Sequence, residues 1–138
     1  MIKALIDTNV VLDYAEKREG FFEGAEKVFL QMLQGSFAGF VSASAVTDIY
    51  YFLERRYKDP ETVMSILKTF LGALGVLSVN RRTIEAAIAS GMSDFEDAVQ
   101  TAAAKHFGIE VIVTRDKAGF SNSGLNIYSP EEFLEVLK

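Results

Sequence analysis

The sequence has no cysteine and no tryptophan, a single histidine, His106, and only two prolines, Pro60 and Pro130. Without cysteine there is no disulfide framework, no thiolate zinc site and no cysteine nucleophile, a pattern that suits a reducing compartment. One histidine cannot build a histidine-rich metal site, and it argues against a Ser-His-Asp triad. An excess of basic charge is also missing. The 14 basic and 19 acidic side chains give a net charge of -5, so bulk attraction to nucleic acid is not built into the chain. That balance leaves room for a nucleic-acid enzyme that works through bound metal. No long hydrophobic run stands out either. Residues 28–47 carry no charge and are about long enough to cross a bilayer. Gln31, Gln34, Gly35, Ser36, Gly39, Ser42 and Ser44 divide that stretch into a helix end, a strand and a helix start. The N-terminus reaches Asp7 too soon to hold the apolar core of a signal peptide. The expectation is a cytoplasmic protein with no membrane association.

What is present is enough apolar residue for one core. With 138 residues, 49% hydrophobic and 24% charged, the chain reads as a single globular domain over residues 1–138 and not as a disordered polymer. Ala4-Leu5-Ile6 is a short apolar run of the kind that forms a parallel strand buried on both faces. Asn9 to Lys17 reads as a helix. Phe22, Ala25, Val28, Phe29, Met32 and Leu33 then recur at three- and four-residue steps, the stripe of an amphipathic helix. Phe37 to Val41 reads as a second strand, and Ser42 or Ser44 can cap a helix running to about Lys58. Pro60 suits the first turn of another helix. Val76 to Val79 reads as a third strand and Arg82 to Ala89 as a helix. Ser93-Asp94-Phe95-Glu96 fits a capping box at the head of a helix ending near Phe107. Val111 to Val113, Asn126 to Tyr128 and Pro130 to Leu137 complete the order as strand, strand and helix. Strands separated by helices indicate an α/β domain around a mainly parallel sheet of four or five strands.

Four aspartates fall where such a fold puts its chemistry. Asp7 follows the first strand, Asp97 lies in the first turns of a capped helix, and Asp116 comes just after the fourth strand. Open α/β sheets bind ligands beyond the carboxyl ends of their strands. Asp48 sits inside a helix beside apolar residues, where an acid is costly unless it is paired, hydrogen-bonded or bound to a cation. Convergence of all four would create repulsion that a divalent cation relieves. All-oxygen ligation suits Mg²⁺ or Mn²⁺, and one or two such ions can activate water and stabilise the oxygens of a phosphodiester undergoing cleavage. Setting those four acids aside leaves the other acidic residues in near balance with the 14 basic ones, a surface not hostile to RNA. Arg55, Arg56, Arg81, Arg82, Lys105, Arg115 and Lys117 are candidates for phosphate contact. Tyr50, Tyr51 and Phe120 are candidates for base stacking if exposed. Glu96 reads as a helix cap. Asp94 reads as another, with a supporting place in the acid site left open.

Taken together, Ile6-Asp7-Thr8-Asn9, the Ser42-to-Leu53 segment with its mid-helix acid, residues 94–100 (Asp94-Phe95-Glu96-Asp97-Ala98-Val99-Gln100) and Val113-Thr114-Arg115-Asp116 resemble, in order and spacing, the motifs of PIN-domain nucleases. The likeness is nearest to the small prokaryotic single-domain branch that includes toxins of the VapC type, and it covers essentially the whole chain. It implies a three-layer α/β/α fold and Mg²⁺- or Mn²⁺-dependent endoribonuclease activity on RNA. It also implies a homodimer and, for toxin members, a small antitoxin partner. Carried over by position, Asp7, Asp48, Asp97 and Asp116 correspond to the catalytic, metal-holding acids. Asn9 and Thr114 correspond to the polar residues that hydrogen-bond those acids. Two positions depart from the family pattern. Asp48 stands where many relatives have the longer Glu, and Gly119 stands before Phe120 where an acid is frequent.

Two other readings remain open on the sequence alone. One is a catalytically weak or inactive module of the same fold that binds a regulatory partner. The other is a phosphotransferase of the haloacid-dehalogenase type, whose nucleophile motif Asp7-Thr8-Asn9-Val10 faintly resembles, although that motif wants an acid where Asn9 stands.

Overall fold

The computed structural model describes all of residues 1–138. Five strands and seven helices alternate along the chain: β1 (Lys3–Ile6), α1 (Thr8–Ala15), α2 (Phe22–Leu33), β2 (Ala38–Ser42), α3 (Ala43–Tyr57), α4 (Pro60–Ala73), β3 (Gly75–Leu77), α5 (Arg81–Ala89), α6 (Phe95–His106), β4 (Val111–Val113), β5 (Asn126–Tyr128) and α7 (Pro130–Val136). A single 3-10 turn, Ala118–Phe120, lies between β4 and β5. The strands form one sheet in the order β3-β2-β1-β4-β5, parallel throughout.

The period-2 geometry of the central strands divides the core in two. Ala4 and Ile6 of β1 and Val111 and Val113 of β4 face the larger cluster, filled by Val10 to Leu12 of α1, Val28 and Phe29 of α2, Ile49 and Leu53 of α3, Val63 of α4 and Phe133 of α7. Leu5 and Ile112 point the other way, onto Ala103 and Ala104 of α6 with Leu77, Ile109 and Phe120. The result is the expected three-layer α/β/α domain, with α5 and α6 on one side of the sheet. Ala4, Leu5 and Ile6 are all fully buried, which is why β1 reads as an unbroken apolar run.

Most helix starts match their sequence signals. Ser42 Oγ accepts from the Ala45 amide at the head of α3, and Pro60 opens α4. Ser129 and Glu132 form a reciprocal capping box on α7. The head of α6 differs from expectation. Asp94, not Ser93, is its cap, with Oδ1 accepting from the Asp97 amide at 2.9 Å. An aspartate caps as well as a serine, and starting the helix one residue later frees the Glu96 side chain from the capping role read from the sequence. The second and third strands are also shifted, because β2 and β3 pair from Phe40–Gly75 to Ser42–Leu77 and no further.

Register places the site. Ile6 lies beside Val113, so Asp7 and Thr114 emerge together at the carboxyl edge of the sheet. Chain connections leave β1 toward one face, while α6 reaches β4 from the other. The crevice between those two strands is the point where such sheets receive ligands.

Phe133 tests how far the larger core is a single unit. It is fully buried, and its ring meets that of Phe37 edge-on with centroids 4.8 Å apart. Phe133→Ala is expected to cost about 3–5 kcal/mol in urea unfolding. A loss below about 1 kcal/mol would mean that α7 is not part of the cooperative fold.

Candidate active site

Asp7 is the centre of the strand-edge network. It is only 7% exposed, and three different segments answer its carboxylate. Oδ1 accepts from the Thr8 amide at 2.8 Å and from Gln100 Nε2 of α6 at 3.1 Å, and Oδ2 accepts from Thr114 Oγ1 at 2.8 Å. Burial nevertheless pushes the Asp7 carboxyl above its ordinary range; the hydrogen bonds from Thr114, Gln100 and Thr8 oppose that rise, and the charge of Asp116 adds to it.

Thr114 hands the network on to Asp116. Its Oγ1 accepts from the Asp116 amide at 2.9 Å and from Asn9 Nδ2 at 3.4 Å, while Asn9 Oδ1 accepts from the Arg115 amide at 3.4 Å. Thr114 thus bonds an acid directly, whereas Asn9 bonds none and reaches Asp7 only through Thr114. Asp116 Oδ1 in turn accepts from the Gly119 amide at 3.2 Å.

Asp97 approaches from α6. A methyl group at Gly119 would lie 2.5 Å from Asp97 Oδ2 and 2.8 Å from Asp116 Oδ2, so both carboxylates lean over the space that this glycine leaves. Partial burial, reinforced by the charges of Asp7, Asp94 and Asp116, pushes the Asp97 carboxyl up to about 7. Asp94 contributes through that field, with its own side chain engaged as the α6 cap.

Asp48 joins through Glu96, whose position in the sequence suits a helix cap. Glu96 of α6 stands close enough to Asp48 for the two carboxyls to bear on each other. Partial burial, the neighbouring Asp48 side chain and the charges of Asp48, Asp7 and Asp94 push the Glu96 carboxyl up to about 7. Asp7, Asp97 and Asp116 thus form one group, with the Asp48–Glu96 pair beside it and within its field.

Gln100 was also missed as a site residue. It is 1% exposed, a buried polar side chain in the apolar run Ala98-Val99-Gln100-Thr101-Ala102, one turn after Asp97 on the same helix. That break in the pattern was its signal. Its Oε1 is buried without a partner.

The basic residues do not neutralise the acids. No ion pair in the protein involves Asp7, Asp48, Glu96, Asp97 or Asp116. Of the suggested phosphate contacts, Arg115 is spent on Asp13 and Lys117 on Glu132. Phe120 is fully buried and cannot stack on a base, whereas Tyr51 is exposed.

A divalent cation fits this donor set. Every available ligand is a carboxylate or amide oxygen, the acids lack counter-charges, and Gly119 leaves an opening between two of them. As the side chains stand, no three of them close to metal-holding distances, so closure around an ion requires side-chain rotation.

The fold and the sequence pattern recur in known proteins. The sequence model of the PIN domain matches residues 3–118. Ribonuclease VapC1 of Aquifex aeolicus (strain VF5) is 25% identical over 138 residues, covering 96% of this chain and 94% of that protein. In fold, the chain is similar to VapC20 of Mycobacterium tuberculosis, a Sarcin-Ricin loop cleaving toxin, with a TM-score of 0.68 at 17% identity over 88% of this chain and 95% of that one. It is likewise similar to a chain of a toxin-antitoxin complex from Klebsiella pneumoniae, with a TM-score of 0.64 at 18% identity over 92% of this chain and 97% of that one. The sequence match spans residues 3–118, a range that takes in every acid of the strand-edge cluster: the chain belongs to the PIN-domain family.

Proposed function

We propose that this protein is a Mg²⁺- or Mn²⁺-dependent endoribonuclease that hydrolyses RNA phosphodiester bonds, and that it is the toxin of a toxin-antitoxin pair. The observation that carries the reading is the set of five acids at the carboxyl edge of the sheet with no basic partner, crowded enough that the Glu96 and Asp97 carboxyls are pushed up to about 7. Its relation to Ribonuclease VapC1 supports the choice of RNA. The likeness to a toxin-antitoxin complex supports a small antitoxin as partner. The same reading includes a homodimer in the cytoplasm. No helix is long and apolar enough to cross a membrane.

In this reading Asp7, Asp97 and Asp116 hold the cation, with Asp48 at its margin. When bound, one or two divalent ions would supply a Lewis acid for the phosphodiester oxygens and lower the pKa of water. The protein's own part is placement. Thr114 and Gln100 hold the Asp7 carboxylate from two sides, Asn9 steadies Thr114, and the Gly119 amide aims Asp116. Glu96, its carboxyl pushed up to about 7, carries less negative charge beside Asp48 than an ordinary carboxylate would, which eases the approach of an RNA backbone to that flank.

Calorimetric titration of Mn²⁺ into the apo protein tests the site directly. Binding is expected to the wild type and to be lost in both Asp7→Asn and Asp97→Asn, each of which should also abolish RNA cleavage while leaving the fold intact. Full cleavage by both well-folded variants would sink the proposal.

Gly119→Ala probes the opening between Asp97 and Asp116. The added methyl would force those carboxylates apart, so Mn²⁺ affinity should fall about 10- to 100-fold, the usual range for disturbing the support of a metal ligand. Thermal stability should barely change. Unaltered affinity would show that the ion does not lie between these two acids.

The pH dependence follows from the raised carboxyls. Asp97 and Glu96 bind protons more tightly in the folded chain than in the unfolded one, so the folded state holds more protons between the ordinary carboxylate range and about 7. Their stabilising contribution is complete at low pH and is lost as pH rises through about 7. Mn²⁺ requires the deprotonated form, so its affinity should rise over the same interval. Melting with and without Mn²⁺ from pH 5 to 8 should show a gap that widens upward; a gap that narrows would contradict the assignment.

A further inference from the structure

One deeply buried acid takes no part in the cluster. Asp13 is 1% exposed and lies on α1, the helix that Asp7 caps. Its Oδ2 accepts from Arg115 Nε at 2.6 Å and its Oδ1 from Arg115 Nη2 at 3.1 Å. Two parallel bonds of this kind fix the plane of a guanidinium as well as its distance. The Phe21 ring covers the same group, its centroid 3.8 Å from the central carbon, and Arg18 Nη1 stands 3.6 Å from Asp13 Oδ1. Asp13 thereby joins α1, the α1–α2 connection and the segment after β4.

Arg115 sits between two residues of the site. On one side Thr114 binds Asp7, and on the other Asp116 leans toward Asp97 across the sheet edge. Its own amide donates to Asn9. Drawing the Arg115 side chain onto α1 leaves Asp116 to face α6. The neighbouring tie from Lys117 to Glu132 is half exposed at both ends, the setting in which an ion pair holds least.

We propose that the Asp13–Arg115 ion pair, covered by Phe21, is a positioning clamp that sets where Asp116 stands in the acid cluster. Burial alone does not account for the pair. Well-packed apolar side chains of similar volume commonly serve stability as well or better, whereas only a forked, bidentate contact fixes the direction in which the following residue leaves. What Asp116 does there rests on the metal-site reading above; where the clamp holds it does not.

Two variants separate position from stability. Asp13→Leu combined with Arg115→Met keeps the space filled and removes the fork. Arg115→Lys keeps the charge and loses the bidentate geometry, and it carries the same comparison if the double variant does not fold. Amide exchange measured by NMR should be about tenfold faster at Asp116 and Gly119 in either variant, with Ile6 and Ile112 of the sheet unchanged as internal references. Mn²⁺ affinity should fall about 10- to 100-fold in the same samples. Wild-type protection at Asp116 and Gly119 in a folded variant would overturn the clamp, as would unchanged Mn²⁺ affinity beside faster exchange. A wild type that binds no Mn²⁺ would count against the metal site, and the exchange comparison would then decide the clamp by itself.

Discussion

A carboxylate withdrawn from water at the end of a buried strand imposes more on this fold than any other group. Asp7 cannot remain there without donors, and the chain supplies them from residues far apart in sequence: the amide of Thr8, the side-chain amide of Gln100 and the hydroxyl of Thr114. Each bond also fixes an element. Thr8 begins α1, Gln100 sets the rotation of α6 about its axis, and Thr114 holds the exit of β4 against the exit of β1. The electrostatic need of one acid is thus met by the same contacts that close the sheet edge. Burial, helped by the charge of Asp116, still leaves the Asp7 carboxyl above its ordinary range despite those donors.

Acids that crowd without bases oppose folding, and the rest of the molecule offsets that cost. The stabilising side is the two-faced apolar core, in which β1 and β4 alternate their side chains between the helical layers. Asp13, as deeply buried as Asp7, behaves differently from the cluster acids. Two arginines reach it, so it is neutralised where it lies, whereas Asp97 and Glu96 meet their surroundings by holding protons near neutral pH. The acids at the sheet edge are left without counter-charges, and the acid that ties α1 to the segment after β4 is paired.

The division between legible and illegible features follows from the range of the physics involved. Strand β1, the α2 stripe, the Pro60 and Ser129 starts and the three-layer order are local patterns of apolar spacing and capping, and these can be read along the chain. Asp7, Asp97 and Asp116 were legible because each stands at the end of a strand or the start of a helix, positions that a parallel sheet gathers at one edge. Glu96 was not, because Ser93 and Asp94 are equally good caps and only the folded helix start decides which is used. The Asp13–Arg115 pair joins residues 102 positions apart, and nothing in the composition of either segment announces a partner. Arg115 therefore read as a free cation for phosphate when its guanidinium is already engaged.

Asp48 shows how the two kinds of information meet. Its carboxylate stands one methylene short of the Glu common at that position in the family, which by itself would withdraw charge from the cluster. Glu96 of α6 stands beside it and has its carboxyl pushed up to about 7, so this flank is built by two side chains from α3 and α6 rather than by one longer side chain from α3. Partial burial and the charges of Asp48, Asp7 and Asp94 act on Glu96 together. As pH rises through about 7, Glu96 gives up its proton and adds negative charge beside Asp48 and Asp7, at a pH where an acid in open water is already ionised. The paired arrangement therefore answers to pH near neutrality, and a change at Asp48 alters the charge that Glu96 meets.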